Sequence, residues 1–135
     1  MSRASGLQYG LDLASAQMQA ILTVIGAAPV LELRTGPAPL SCFAADAGKL
    51  IAALQLPQEW ATVEAGALHG GEWHGAAVGA GKVTHFRLKD AAGQCHIQGT
   101  ADSVGRASLQ LDDPSFEAGM PVRVLRFTLS NQAML

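Results

Sequence analysis

The chain has 135 residues, 49% of them apolar and only 15% charged, and nine Lys and Arg against eleven Asp and Glu leave a formal charge of -2. Such a composition folds as one domain and offers no basic field for a nucleic-acid backbone, so no direct nucleic-acid partner is expected. Two cysteines, Cys42 and Cys95, are too few for a disulfide framework and too far apart in sequence for a clustered metal site, which points to folding in a reducing compartment.

The first predicted element is a helix over residues 10–26. Leu11, Ala14, Met18, Ile21, Leu22 and Ile25 recur at three- and four-residue intervals and form one stripe. Gly10 or Asp12 can cap its start, Gly26 suits the left-handed position at its end, and Pro29 prevents continuation. Ala20 to Leu31 is the one stretch resembling a targeting signal. It is shorter than the roughly 20 apolar residues that span a bilayer, and a secretory signal asks for a positive start and an apolar run nearer Met1. No membrane association is expected.

Beyond Pro29 the period changes from 3.6 to 2, which opens a β body over residues 30–130. Val30 to Arg34 reads as a strand and Leu50 to Leu56 as a second candidate, whose Leu50-Ile-Ala-Ala-Leu54 run would also suit a helical turn, with a Pro-, Ala- and Gly-rich surface loop over residues 35–48 between them. Short strands follow at Trp60 to Val63 and Ala67 to Trp73. Lys82 to Lys89 and Gln94 to Ala101 then flank Asp90-Ala-Ala-Gly93, which predicts a hairpin with a four-residue turn. That turn pairs Leu88 with Cys95, Phe86 with Ile97, Arg87 with His96 and His85 with Gln98. A three-residue loop with a glycine bulge is disfavoured, because it would set Phe86 against Gln98. Ala107 to Leu111 and Pro121 to Ser130 complete the set, the latter with a bulge near Leu125-Arg126 where the apolar parity switches. The expected fold is therefore mainly β: one domain over residues 1–135, an antiparallel β-sandwich or small barrel of about six to eight short strands preceded by one amphipathic helix.

The sequence lacks the common catalytic signatures. Gly75 to Lys82 fails as a phosphate loop, because position 76 is Ala and position 83 is Val. No Gly-x-Ser-x-Gly elbow and no His-Glu-x-x-His helix occurs. His69, Glu72 and His74 are weak metal candidates, since two imidazoles and a carboxylate fall within six residues. In a strand, however, His69 and Glu72 point to opposite faces, so a solvated turn is the expected reading. His85 and His96 are expected on the polar face of the hairpin, Cys95 in the core, and both thiols as inert small hydrophobes. The chain is expected to be no enzyme and to hold no cofactor.

Trp60 and Trp73 are either core anchors or exposed hot spots for a partner, and the scarcity of other large residues favours the core. The helix stripe, Met18 and Leu22 included, faces the same choice between a sheet and a neighbouring subunit. Much of the apolar share is 24 Ala and 15 Gly, against seven aromatic residues. Isolated stability is then modest at about 25 cal/mol per Å² of apolar burial, and a homo-oligomer is expected to supply the missing burial.

Two stretches carry a resemblance. Tyr9-Gly-Leu-Asp-Leu-Ala-Ser-Ala-Gln-Met-Gln-Ala-Ile21, with Ile25-Gly-Ala-Ala-Pro29 and Leu33-Arg-Thr-Gly36, resembles the opening of small structural proteins encoded by tailed bacteriophages and prophages. Phe86-Arg-Leu-Lys-Asp-Ala-Ala-Gly-Gln94 and Gln98-Gly-Thr100 are similar to their central hairpin, and Val122 to Leu129 fits the same layout, whereas residues 37–80 have no counterpart. The resemblance implies a virion component assembled in the host cytoplasm. Its first implied role is a capsid decoration or cement protein bound to the major capsid protein or another virion protein; a tail, collar or adaptor component, or a receptor- or glycan-binding β module, is the alternative.

Overall fold

The computed structural model describes residues 10–102 and 109–130. Tyr9 of the opening motif and Ala107 and Ser108 of the predicted late strand lie outside the described residues. Helix α1 spans Leu11–Ile25. It is followed by β1 (Val30–Arg34), β2 (Leu50–Gln55), β3 (Ala61–Glu64), β4 (Ala67–Gly70), β5 (Trp73–Ala76) and β6 (Gly81–Lys82). Then come β7 (His85–Lys89), β8 (Cys95–Asp102), β9 (Leu109–Leu111), β10 (Ser115–Phe116) and β11 (Pro121–Ser130).

The fold is mainly β with one N-terminal helix, as the periodicity predicts. Its strands are more numerous than expected because the predicted Ala67 to Trp73 and Lys82 to Lys89 runs each split in two and because β10 forms at Ser115–Phe116, where no strand is predicted. The split at residues 71–72 follows from backbone conformation: Gly71 takes φ +138° and Glu72 φ +59°, which no strand tolerates. Among the described residues no helix is long and apolar enough to cross a membrane.

One large sheet runs in the order β2-β1-β7-β8-β9-β11-β4-β3, with β5 paired to β11 beside it; β6 and β10 form a separate two-stranded pair. Among the described residues all pairings are antiparallel except β8 with β9. Strand β8 belongs to both halves of the sheet, since its first residues pair with β7 while Ala101 and Asp102 pair with β9. The sheet thereby curls until its β2 edge packs against β5, so closely that a methyl on Gly75 would lie 2.9 Å from Leu54 Cγ.

The core fills that curl. In β1, Leu31 and Leu33 point inward while Val30, Glu32 and Arg34 are half-buried, and Ile51, Leu54, Leu68, Phe86, Leu109, Val124 and Phe127 meet them inside. Trp60 and Trp73 are 4% and 5% exposed. Their rings form a chain with Phe127 and Phe86, at centroid separations of 6.4, 6.0 and 5.7 Å, the range in which tilted and edge-to-face aromatic pairs are favourable. Both tryptophans are core anchors, and the partner-facing alternative read from the sequence for Trp60 and Trp73 does not hold in this packing. The Trp60 indole N–H donates to the Gly26 carbonyl at 3.0 Å, just past the end of α1.

Helix α1 lies against β3 and β4. Ala14, Met18 and Ile25 are buried, Ile21 and Leu22 are half-buried, and Leu11 stays exposed. Met18 is thus covered by the chain's own sheet, and Leu22 remains partly open. Gly10 is the N-cap, without a side-chain hydrogen bond, and Gly26 ends the helix at φ +81°.

The β7–β8 hairpin exists, but its register differs from the predicted one. Leu88 faces Ile97, Phe86 faces Gly99, Arg87 faces Gln98 and His85 faces Thr100. The Asp90 N–H bonds to the Gln94 carbonyl, and Gly93 takes φ +93°, so the loop has three residues. A second irregularity, between Leu88 and Lys89, shifts the register once more. Two one-residue shifts restore the parity that one alone would break, and Phe86 stays on the apolar face. Asp90 selects this loop: its Oδ1 accepts from the Ala92 and Gln94 N–H groups, each at 3.0 Å, and its Oδ2 meets His96 Nε2 at 2.8 Å. The bulge predicted near Leu125-Arg126 is present as a register shift between Val124 and Arg126.

Candidate docking surface

The outer face of β1 and β7 is polar by alternation, with Glu32 and Arg34 on one strand and Arg87 and Lys89 on the other. It is not a solvated face. The loop between β1 and β2 folds back over it and buries Arg87 to 1% exposure. The neck of this loop is closed twice, by the Thr35 N–H donating to the Lys49 carbonyl at 3.0 Å and the Lys49 N–H donating to Thr35 Oγ1 at 2.9 Å. Gly48, at φ +75°, sits where a methyl group would overlap the Thr35 carbonyl oxygen. A compact loop of this length with touching ends is an Ω-loop, a class that often carries function.

Arg87 holds the loop from beneath. Its Nη2 donates to the Cys42 carbonyl at 2.7 Å, and its Nη1 to the Ala44 carbonyl at 3.1 Å and to Asp46 Oδ1 at 2.7 Å. Gln98 Nε2 donates to the Pro39 carbonyl at 2.7 Å, and the Gly36 carbonyl accepts from Thr84 Oγ1 and from His85 Nδ1. A carbonyl only accepts, so the His85 proton on this side is fixed at Nδ1. Asp46 also receives Lys89 Nζ at 2.8 Å and Arg34 Nη2 at 3.3 Å. Glu32 bonds the same two cations, at 2.9 Å to Arg34 and 3.1 Å to Lys89. The hydrogen bond from Lys89 holds the Asp46 carboxyl below the usual aspartate range, against burial that pushes it up. Burial draws the Lys89 ammonium down, yet the hydrogen bonds it donates to Asp46 and Glu32 outweigh that and hold Lys89 above its ordinary value.

What this scaffold presents is apolar. Leu40 is fully exposed and Phe43 is 93% exposed. Between them, Ser41 and Cys42 form one wall of an open groove of about 570 Å³, whose other walls are Ile21 and Val24 of α1, Ile97 and Gln98 of β8, and Leu129 of β11. Val24 is itself exposed, and Gln98 Oε1 is buried without a hydrogen-bond partner among the described residues.

The other sequence candidates are not brought together. His69 stands opposite Thr128 and His74 opposite Arg123, five positions apart along β11, or roughly 16 Å at about 3.3 Å per residue. Glu72 pairs instead with Arg123 at 3.3 Å. Among the described residues no group of three or more His, Cys, Asp or Glu is placed to hold a metal ion, so the cluster of His69, Glu72 and His74 exists only in the sequence. His85 and His96 also differ from expectation: His85 is buried under the loop at Gly36, and His96 is bound to Asp90.

Cys42 and Cys95 are 53 positions apart in sequence, yet their sulfurs lie 2.8 Å from each other. Neither this pairing nor the role of Arg87 is legible from spacing, because both depend on where an irregular loop comes to rest. The signal in the sequence is the loop's composition: two large apolar residues and one carboxylate in a Pro- and Gly-rich stretch.

No protein-family model matches the chain, and neither the curated proteins nor the solved structures contain a match to it.

Proposed function

We propose that this chain is a non-enzymatic structural protein of a tailed-phage particle, a capsid decoration protein that docks on the shell through the loop tip Leu40 to Phe43 and the adjoining groove. The observation that supports this reading is the contrast between the loop's base and its tip. Arg87, Gln98 and His85 fix its backbone, while its two largest apolar side chains stand in water. Exposed apolar area gives up about 25 cal/mol per Å² that burial would recover. A loop that is both held and apolar recovers that energy when a partner covers it, and a pre-ordered loop loses little conformational entropy on docking.

Many such contacts on a repeating lattice act together, because each bound copy raises the effective concentration of the next contact. The mechanism is adhesion: copies bridge neighbouring shell subunits and oppose their separation under packaged DNA. The alternative placement, in a tail, collar or adaptor, uses the same surface with fewer copies. A glycan-binding reading through Trp60 and Trp73 loses its platform, since both rings are buried.

The test uses particles stripped of the protein and the purified chain added back. Wild-type protein is expected to rebind at a copy number comparable to that of the major capsid protein and to raise the temperature of particle rupture. The double variant Leu40→Ser/Phe43→Ser is expected to fold normally and to fail to rebind. Equal rebinding by the double variant would sink the loop as the docking element, and a handful of copies per particle would move the protein to a vertex, tail or collar.

A further inference from the structure

We propose that Cys42 and Cys95 are an oxidisable pair that closes into an intramolecular disulfide and ties the Ω-loop to strand β8. This inference stands on geometry and does not need the docking role. The two sulfurs are 2.8 Å apart, within a short displacement of the roughly 2.05 Å of a disulfide bond. One guanidinium organises both ends: Arg87 Nη2 holds the Cys42 carbonyl at 2.7 Å and Arg87 Nε donates to Cys95 Sγ at 3.4 Å. Arg87 is anchored in turn by Asp46. The thiols therefore meet across 53 positions of sequence with the backbone on one side already fixed.

Access is unequal, which sets the order of events. Cys42 is half-buried at the groove wall and Cys95 is buried behind it. With a small disulfide such as oxidised glutathione as oxidant, Cys42 loses its proton and attacks one reagent sulfur; the reagent S–S bond breaks and one glutathione leaves, taking up a proton as its thiol. Cys95 then loses its proton and attacks the Cys42 sulfur of the mixed disulfide, and the second glutathione leaves as a thiol. Two protein thiols are oxidised, one reagent disulfide is reduced to two thiols, and protons balance. Burial and the hydrogen bond to Cys95 push the Cys42 thiol up to about 11, so the reduced pair reacts slowly at neutral pH, as fits a structural staple more than a rapid exchanger.

The experiment incubates the folded full-length chain with oxidised glutathione, quenches with acid, unfolds in urea, alkylates free thiols, and maps peptides by mass spectrometry under non-reducing conditions. The expected result is a monomer lighter by two hydrogens, with no alkylated thiol and with the peptides carrying Cys42 and Cys95 linked. In the Cys95→Ser variant the expected product is a stable glutathione adduct on Cys42, because the resolving thiol is gone. Two alkylated thiols, two separate glutathione adducts, or a disulfide-linked dimer from the wild-type chain would each overturn the proposal. A second readout covers the case in which the variant does not fold: limited proteolysis within residues 37–48 of the wild-type chain should slow at least tenfold on oxidation and recover on reduction, and an unchanged rate would count against the staple.

Discussion

The Arg87 guanidinium and the Asp46 carboxylate meet at 2.7 Å across 41 positions of sequence, one on the sheet and the other on the loop that covers it. Arg87 is almost fully buried, while a third of the Asp46 side chain remains in water. The pair therefore matters as a positioning device: it turns the loop over residues 35–49 into part of the folded body, and with it Leu40, Phe43 and Cys42.

Arg87→Met keeps much of the aliphatic bulk and removes the donors to the Cys42 and Ala44 carbonyls and to Asp46. The expected outcome is a loss of about 2–3 kcal/mol of unfolding free energy, because a charge-assisted network at a buried site is broken. Amide hydrogen exchange should rise first within residues 37–48. Unchanged exchange in that segment would show that the neck at Thr35 and Lys49 holds the loop without Arg87.

Acid should release the same loop. The Asp46 carboxyl is held below the ordinary value of 3.8 by the hydrogen bond from Lys89, against burial, with Arg34 and Arg87 adding to the effect. A carboxyl depressed in the folded state gives stability that is full above the unfolded-chain value and is lost as pH falls through the folded-state value. Urea midpoints between pH 5 and pH 2 should fall more steeply for wild type than for Asp46→Asn. The two curves should differ by about 1 kcal/mol near neutral pH, an amount reduced by the partial exposure of Asp46, and converge in acid. Parallel curves would sink this assignment.

Gly71→Ala should cost about 2–4 kcal/mol. Its φ of +138° is strained for any L side chain, and a methyl there would stand 2.7 Å from the Leu125 carbonyl oxygen and 2.8 Å from Arg126 Cα. Chemical denaturation monitored by circular dichroism checks it. A cost below about 0.5 kcal/mol would mean that the β4–β5 corner rearranges freely.

The tryptophans report on the core. Native fluorescence should be blue-shifted and protected from iodide, and Trp73→Ala should cost about 3–5 kcal/mol, since its ring lies between Trp60 and Phe127. Red-shifted, readily quenched emission would contradict the packing and reopen an external role for these rings.

In the reduced chain, iodoacetamide should modify Cys42 at least tenfold more slowly at pH 8.5 when folded than in urea. Burial and its bond to Cys95 raise its thiol to about 11, from an ordinary 9.0, which lowers the thiolate fraction. Equal rates would show that the loop opens faster than the reagent reacts.

Much of the fold is legible one segment at a time. Helix α1 follows from the spacing of its apolar residues and from Gly26 and Pro29, strand β1 from alternation and its bounding turns, and the bulge in β11 from a switch of parity at Leu125-Arg126, whereas the apolar run of β2 suits a helical turn as well and only its pairing with β1 decides it. Each of these depends on neighbours within a few residues, and local sterics and amphipathicity decide them. Loop length in the β7–β8 hairpin depends on Asp90 satisfying three partners at once, and sequence pairing alone misses the second shift that compensates the first.

The surface belongs to tertiary structure entirely. Nothing in the spacing of Arg87, Asp46, Cys42 and Cys95 brings them together; the loop rests where the guanidinium satisfies its carbonyls, and that choice is made across 40 to 50 positions. Conversely, the triad His69, Glu72 and His74, compact in sequence, is pulled apart because β4 and β5 pair with different stretches of one strand. Periodicity by itself determined which faces of this protein are apolar, whereas the folded chain decided which polar face is covered and which apolar residues are left outside, because covering depends on hydrogen bonds between segments that are neighbours only in space.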